Sequence, residues 1–103
     1  MRQAKIFFDK IFAGVLTEIE SGKNYIFEYD AHYDGAPISL TLPIHQKKYE
    51  FQTFPSFFDG LLPEGPLLEA LLRQAKCDRD DYLGQLITVG ADLVGAITVE
   101  ALT

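Results

Sequence analysis

The amino-acid sequence predicts a single α+β domain, in which a small, strongly curved antiparallel sheet packs against two main helices. Three observations predict this fold. The first half is rich in aromatic and β-branched runs, the second half carries leucines at helical spacing, and a strand-like segment closes the chain. With 103 residues, 48% of them hydrophobic, the chain is expected to form one domain over residues 1–103 with a core of its own.

The first strands are predicted where Ile and Phe cluster near the N-terminus. Residues 5–12 are expected to continue through residues 13–17 as one strand, with a bend or bulge at Gly14. Turn-forming residues in 21–24 separate this strand from residues 25–29, where aromatic side chains alternate along the chain. The two segments are therefore predicted to pair as a hairpin.

A further strand is predicted over residues 38–42. Ile38, Leu40 and Leu42 alternate with polar residues, so they are expected to point to one side of the sheet. Pro43 is expected to end this strand or to lie at its edge, because proline has no backbone N–H group to donate.

Helices are predicted in the second half. Residues 55–62 are expected to form one or two helical turns, and Pro66 suits the first turn of a longer helix. Glu69 and Arg73 lie four residues apart on that helix and are expected to form an ion pair. Its opposite side carries an apolar stripe, formed by Leu67, Leu68, Leu71, Leu72 and Ala75.

The last elements are a helix and a strand. Asp78 or Asp80 is expected to cap the helix, and Gly90 is expected to end it. Its apolar positions are Tyr82, Leu83, Leu86 and Ile87. Residues 90–95 are interpreted as a helix cap and tight turn, because no Lys-Ser/Thr pair follows as in a phosphate-binding loop. Residues 95–99 are predicted to return to the sheet.

The charge and the cysteine content argue against several classes of function. The formal net charge is −6, and residues 51–103 carry three basic and eight acidic side chains. Nucleic-acid binding needs Lys and Arg to replace counterions at the phosphates, so direct contact with DNA or RNA is not expected. No stretch approaches the roughly 18 apolar residues of a membrane-spanning helix. Cys77 is the only cysteine, which excludes an internal disulfide and favours the reducing cytoplasm.

Reactive side chains are present, but not at the spacings that catalysis or metal binding requires. His32 and His45 have no further ligand near them in sequence. The aspartates in residues 78–81 lack the glycine and the distal glutamate of a calcium-binding loop. Nothing in the sequence pairs Asp59 and Glu64 for acid–base catalysis. We therefore expect no catalytic residue, no cofactor and no metal, and a protein that acts by binding another protein.

One segment, residues 54–66, combines large apolar side chains with a high density of proline and glycine. Its proline-rich end is expected to lie at the surface as a stiff loop, and stiffness lowers the ordering cost of binding. The candidate partner-binding residues are Asp59, Leu62, Pro63, Glu64, Gly65 and Pro66. The alternative is that the large side chains simply fill the core, namely Phe57, Phe58, Leu61 and Leu62.

The same segment resembles a known family. Residues 57–65 (Phe-Phe-Asp-Gly-Leu-Leu-Pro-Glu-Gly) are similar to the signature of the HipA N-terminal domain of toxin kinases. Pro66 departs from the family, in which this position is often large or aromatic. Further similar motifs occur in the family's order, at residues 13–16, 25–29, 37–43, 81–87 and 90–99.

The resemblance implies a function. The chain is expected to be a free-standing HipA N-terminal domain, similar to the HipS-type antitoxin of HipB–HipS–HipT modules, because it stops where a HipA would continue into its kinase core. The implied partners are a HipT-like Ser/Thr kinase, which this domain would restrain, and a HipB-like helix-turn-helix protein, which would contact the DNA. The alternative is a non-inhibitory structural or assembly subunit that links a HipA-family kinase to a HipB-like repressor.

Overall fold

The computed structural model describes residues 1–93 and 95–102. Within them the chain forms one five-stranded antiparallel sheet and three helices, which confirms the predicted α+β fold. The strands are β1 (Arg2–Phe8), β2 (Ile11–Glu20), β3 (Lys23–Tyr29), β4 (Lys48–Phe51) and β5 (Ile97–Ala101), in the spatial order β4-β3-β2-β1-β5. The helices are α1 (Ser56–Asp59), α2 (Gly65–Ala75) and α3 (Tyr82–Val89).

β1 and β2 form a tight hairpin, so the single bent strand expected over residues 5–17 is wrong. The chain reverses at Asp9 and Lys10, whose φ angles of 49° and 69° are positive, as the two-residue turns of hairpins require. No glycine marks this turn in the sequence. The irregularity expected at Gly14 is present, because the pairing of β1 with β2 shifts by one residue beside it. Gly14 also allows β3 to approach closely, because a side chain there would overlap the carbonyl oxygen of Glu28.

The core lies on one face of the sheet. Tyr25, Phe27 and Tyr29 of β3 are all buried there, as their alternation predicts. β3 pairs with β2 in the predicted hairpin. Phe58 of α1 covers this face, with its ring centroid 5.8 Å from that of Phe27. Leu86 of α3 is also fully buried in this core.

The strand expected over residues 38–42 is wrong. These residues form turns and bends, and Leu40 is 95% exposed while Ile38 and Leu42 are buried. The cause is Tyr29, whose hydroxyl accepts a hydrogen bond from the N–H of Ile38 and donates one to the carbonyl of Leu42. Because the chain coils around this buried phenol, the strand that completes this side of the sheet is β4, which the sequence did not predict.

The two main helices are covered unequally. α3 buries Leu83, Gln85 and Leu86, whereas no residue of α2, a helix that the structure describes in full, is buried. The ion pair expected between Glu69 and Arg73 is replaced by one between Glu69 and Arg79, at 2.6 Å. The tertiary fold therefore decides which cation reaches this carboxylate.

The ends of α3 also differ from expectation. Asp81, rather than Asp78 or Asp80, caps the helix by accepting a hydrogen bond from the N–H of Gly84. Gly90 follows the helix as predicted, and its carbonyl accepts a hydrogen bond from the N–H of Val99 at 3.0 Å.

β5 spans Ile97–Ala101 rather than residues 95–99. Val94, part of the expected turn, lies outside the described residues. No helix in the described part of the chain is long and apolar enough to cross a membrane.

Candidate functional site

The candidate loop, residues 59–66, is anchored in the core by its first half. Phe58, directly before it, is 0% exposed, and Leu61 and Leu62 pack against the core beside it. The N–H groups of Leu61 and Leu62 donate to the carbonyls of Phe58 and Asp59, at 3.0 and 3.1 Å, and close a tight turn. The large side chains thus fill the core fully or in part, and they hold the rest of the loop in place.

The second half of the loop is exposed and has a restricted backbone. Glu64 is extended, with φ −129° and ψ 162°, while Gly65 has a φ of 58°, which residues with a side chain rarely adopt. Pro66 follows in the first turn of α2, as predicted, where its missing N–H group costs nothing. The side chain of Glu64 does not cap α2, so its carboxylate is available to a partner.

A cleft of about 280 Å³ lies beside this loop. The predicted residues Asp59, Leu62, Pro63 and Glu64 line it, whereas Gly65 and Pro66 form the exposed start of α2 next to it. The cleft is completed by residues that the sequence did not single out, namely Leu68, Arg79, Tyr82 and Gln85. The tertiary fold therefore joins the loop to both main helices.

Arg79 connects α2 with the segment before α3. Its guanidinium lies 2.6 Å from the carboxylate of Glu69, in an exposed pair that contributes at most about 1 kcal/mol. Its backbone is held more firmly, because the buried amide of Gln85 donates to the carbonyls of Asp78 and Arg79, both at 3.0 Å. The position of Arg79 is thus fixed from inside the protein, while its side chain can exchange partners.

A charged network ties the start of α3 to the sheet. Arg2 lies 2.6 Å from Asp81 and 2.9 Å from the buried carboxylate of Glu18, which also accepts a hydrogen bond from the hydroxyl of Tyr25 at 3.1 Å. The hydrogen bond from Arg2 holds the pKa of Asp81 below its usual value. Burial, together with the negative charge of Glu18, raises the pKa of Tyr25 to about 12. One wall of the cleft is therefore fixed relative to the sheet.

The network leaves one signal in the sequence. Glu18 follows Leu16 at the strand period of two, and both side chains point to the core face of β2. A carboxylate on the apolar face of a strand requires a partner, because an unpaired buried charge is costly. That partner is Arg2, which lies opposite Glu18 because β1 and β2 pair as a hairpin. The sequence predicted a single strand in this region, so it could not identify Arg2 as the partner.

α2 presents an apolar face that the rest of the protein covers only in part, since Leu67 is exposed and the other leucines are partly buried. At about 100° per residue, its four leucines occupy an arc of about 140° around the helix. We call this set, Leu67, Leu68, Leu71 and Leu72, the leucine face. Leu67 is 72% exposed, and within the described residues none of the four belongs to the side chains that pack against the core. The apolar stripe was predicted, but its exposure was not.

Among residues 1–93 and 95–102, no group of three or more His, Cys, Asp and Glu side chains could hold a metal ion. Larger clefts of about 640 and 580 Å³ lie around Phe51 and around Asp78, but none of the predicted residues lines them. A stiff loop, two exposed carboxylates and a partly exposed leucine face are features that protein contacts use.

Comparison with known proteins identifies the family. The sequence profile of the HipA N-terminal domain matches residues 4–100. The chain belongs to the HipA N-terminal domain family. A relative from Haemophilus influenzae, described as an uncharacterized protein, is 31% identical over 100 residues, which cover 97% of this chain and 92% of the relative.

A solved structure agrees with this family. The N-terminal domain of HipA toxin superimposes with a TM-score of 0.80 at 29% identity, covering 100% of this chain and 94% of that chain. The resemblance that residues 57–65 carry is thereby confirmed, and so is the α+β fold of a HipA N-terminal domain. The partner-binding role of Asp59, Leu62, Pro63, Glu64, Gly65 and Pro66 stays a prediction.

Proposed function

We propose that this protein is an antitoxin subunit, which binds and restrains a separate HipT-like Ser/Thr kinase in a complex with a HipB-like helix-turn-helix repressor. The observation that carries the proposal is the match of the HipA N-terminal domain family across residues 4–100. The relative from Haemophilus influenzae supports it, because the match covers 92% of that protein and leaves little room there for a kinase core. A protein of this family with the length of that relative would act on a kinase in trans.

The surface of the protein supports a binding role. The candidate loop is held against the core at one end and exposed at the other, so it keeps its shape before a partner arrives. The leucine face offers apolar area next to it. The acidic surplus of residues 51–103 favours a basic protein surface as the partner.

Co-expression with a HipT-like kinase tests the proposal. We expect the two proteins to co-purify, and we expect the protein to lower autophosphorylation of the kinase and to relieve growth arrest. Glu64→Lys should weaken inhibition, whereas Glu28→Lys, the same change on the exposed side of β3, should not. If the protein neither co-purifies with the kinase nor lowers its autophosphorylation, the proposal fails.

The same preparation distinguishes the alternative of an assembly subunit. Such a subunit would form a stable complex with the kinase and the HipB-like repressor, and the kinase in that complex would phosphorylate itself as fast as the kinase alone. Inhibition and assembly are therefore separated by comparing kinase activity at equal kinase concentration, with and without this protein.

A further inference from the structure

The leucine face of α2 is the largest conflict between the sequence pattern of this protein and its packing. Amphipathic helices of globular proteins usually bury such a stripe against their own core. Here Leu67 is 72% exposed, Leu68, Leu71 and Leu72 are only partly buried, and none of the four belongs to the buried core. An apolar helix face that its own chain covers only in part is typical of helices that bind in a groove of another protein.

The charges around this face specify the chemistry of the groove. Between Asp59 and Tyr82 the chain carries six acidic and three basic side chains. One of the three cations, Arg79, is engaged by Glu69. Asp59 and Glu64 are exposed at the cleft beside the leucine face, and no ion pair of the described residues includes either. The rim of this surface is therefore negative.

We infer that the leucine face docks into an apolar groove of the partner kinase, rimmed by Lys and Arg side chains that pair with Asp59 and Glu64. The inference rests on the proposed function and deepens it, because it assigns the main contact to α2 rather than to the loop alone. The leucines supply the buried apolar contact, which governs how slowly the complex dissociates. The two carboxylates guide association and fix orientation.

Affinity measurements with the purified kinase test the apolar part. Leu67→Asp should raise the Kd for the kinase at least about tenfold, because a charge would enter the groove. Leu40→Asp is the matched control, since Leu40 is 95% exposed in the loop between β3 and β4, and it should leave the Kd unchanged. Circular dichroism of both variants checks that they fold, which we expect because both leucines are exposed in the free protein.

A second pair of variants tests the charged rim. The double variant Asp59→Asn/Glu64→Gln should slow association several-fold at low salt, and the difference should vanish at about 1 M salt, where charges are screened within about 3 Å. Glu28→Gln/Glu100→Gln removes the same net charge from exposed positions on the other face of the sheet and should associate like the wild type. Equal association rates for the two double variants would overturn the basic rim.

The outcomes separate this inference from the proposed function. If the wild type does not bind the kinase, both fail. If the wild type binds and Leu67→Asp binds equally well, the proposed function stands and the docking surface is wrong. Light scattering tests the other possibility, that the leucine face binds a second copy of this chain. If the wild type is a dimer and Leu67→Asp is a monomer, the face is a dimer interface and the inference is overturned.

Discussion

Two regions of the molecule place similar side chains in opposite environments: the sheet with Phe58 and α3, and the segment from the candidate loop to α2. In the first region, Phe27, Phe58 and Leu86 are fully enclosed, and the buried polar side chains Glu18 and Gln85 have hydrogen-bond partners. In the second region, an 11-residue helix with four leucines has no buried residue, although the structure describes all of it. The two regions differ in what covers their apolar surface, and much less in composition.

This difference shows how a small domain can be stable while one of its helices stays largely outside the core. The sheet and α3 supply the free energy of folding, so the loop and α2 need only a few links to keep their place. Helices shorter than about 12 residues are marginal by themselves in water. We therefore expect α2 to gain order when a partner covers it, and backbone hydrogen exchange in Gly65–Ala75 should slow on binding.

The largest effect is expected from opening the core. Phe58→Ala should lower the free energy of unfolding by about 3–5 kcal/mol, because it removes a fully buried ring beside Phe27. Leu67→Ala deletes a side chain of the other region and should change that free energy by less than about 0.5 kcal/mol. Urea unfolding followed by circular dichroism measures both. Similar losses for the two variants would contradict the division between the regions.

The next effect concerns the charged network behind the cleft. Arg2→Met should cost about 2 kcal/mol at neutral pH, because it removes charged hydrogen bonds to Asp81 and to the buried Glu18. The pKa of Asp81 is lower in the folded protein than in the unfolded chain, so its stabilisation is present above the unfolded pKa and is lost as the pH falls through the folded one.

The pH dependence of this variant sharpens the test. As the pH falls below the unfolded pKa of about 4, the carboxyl of Asp81 takes up a proton more readily in the unfolded chain than in the folded protein, so the difference in unfolding free energy between wild type and Arg2→Met should shrink. Unfolding at a series of pH values from about 7 to about 3 measures this difference. A constant difference would show that Asp81 does not contribute through its charge.

A smaller effect is expected at the junction of the loop with α2. Gly65→Ala should cost about 1 kcal/mol, because Gly65 has a φ of 58° and a methyl group there would contact nothing that could compensate. Gly60→Ala is the control, since Gly60 has a helical φ of −64° and room for a methyl group. Thermal unfolding of both variants measures the cost, and a loss at Gly60 as large as at Gly65 would refute the backbone explanation.

The smallest effect is expected from the exposed link between α2 and α3. Glu69→Gln should lower the free energy of unfolding by about 0.5 kcal/mol, because exposed ion pairs contribute little. The difference should disappear at about 1 M salt, where the attraction is screened. Glu20→Gln, which breaks an exposed pair with Lys23 in the β2–β3 hairpin, is the matched comparison. A loss above about 1.5 kcal/mol at Glu69 would mean that this pair, rather than backbone conformation, holds α2.

The sequence predicted those features of the fold that depend on local periodicity. The alternation of Tyr25, Phe27 and Tyr29 gave the face of β3, and the leucine spacing gave the extent of α2. The loop around Tyr29 could not be predicted, because a single hydroxyl bonds the backbone of Ile38 and Leu42 across a gap in sequence. The alternation of apolar and polar residues in 38–42 therefore predicted a strand, although these residues form turns and bends in the structure.

The candidate site was predictable only in part for a similar reason. The density of proline and glycine indicated a stiff surface loop, and the structure places Asp59, Leu62, Pro63 and Glu64 along one cleft. Periodicity shows which side of a helix is apolar, but it does not show whether anything covers that side. The exposure of α2 and the approach of Arg79 to the cleft therefore emerge only from the tertiary fold.

The hydrogen bond between the N–H of Val99 and the carbonyl of Gly90 has a consequence beyond the folding of α3. β5 is an edge strand, and open edges recruit strands from other molecules into growing aggregates. At this edge a donor is already engaged, and the end of α3 stands in the path of an incoming strand. The C-terminal strand therefore offers fewer free backbone groups to an incoming strand, which lowers the tendency of this protein to polymerise through β5.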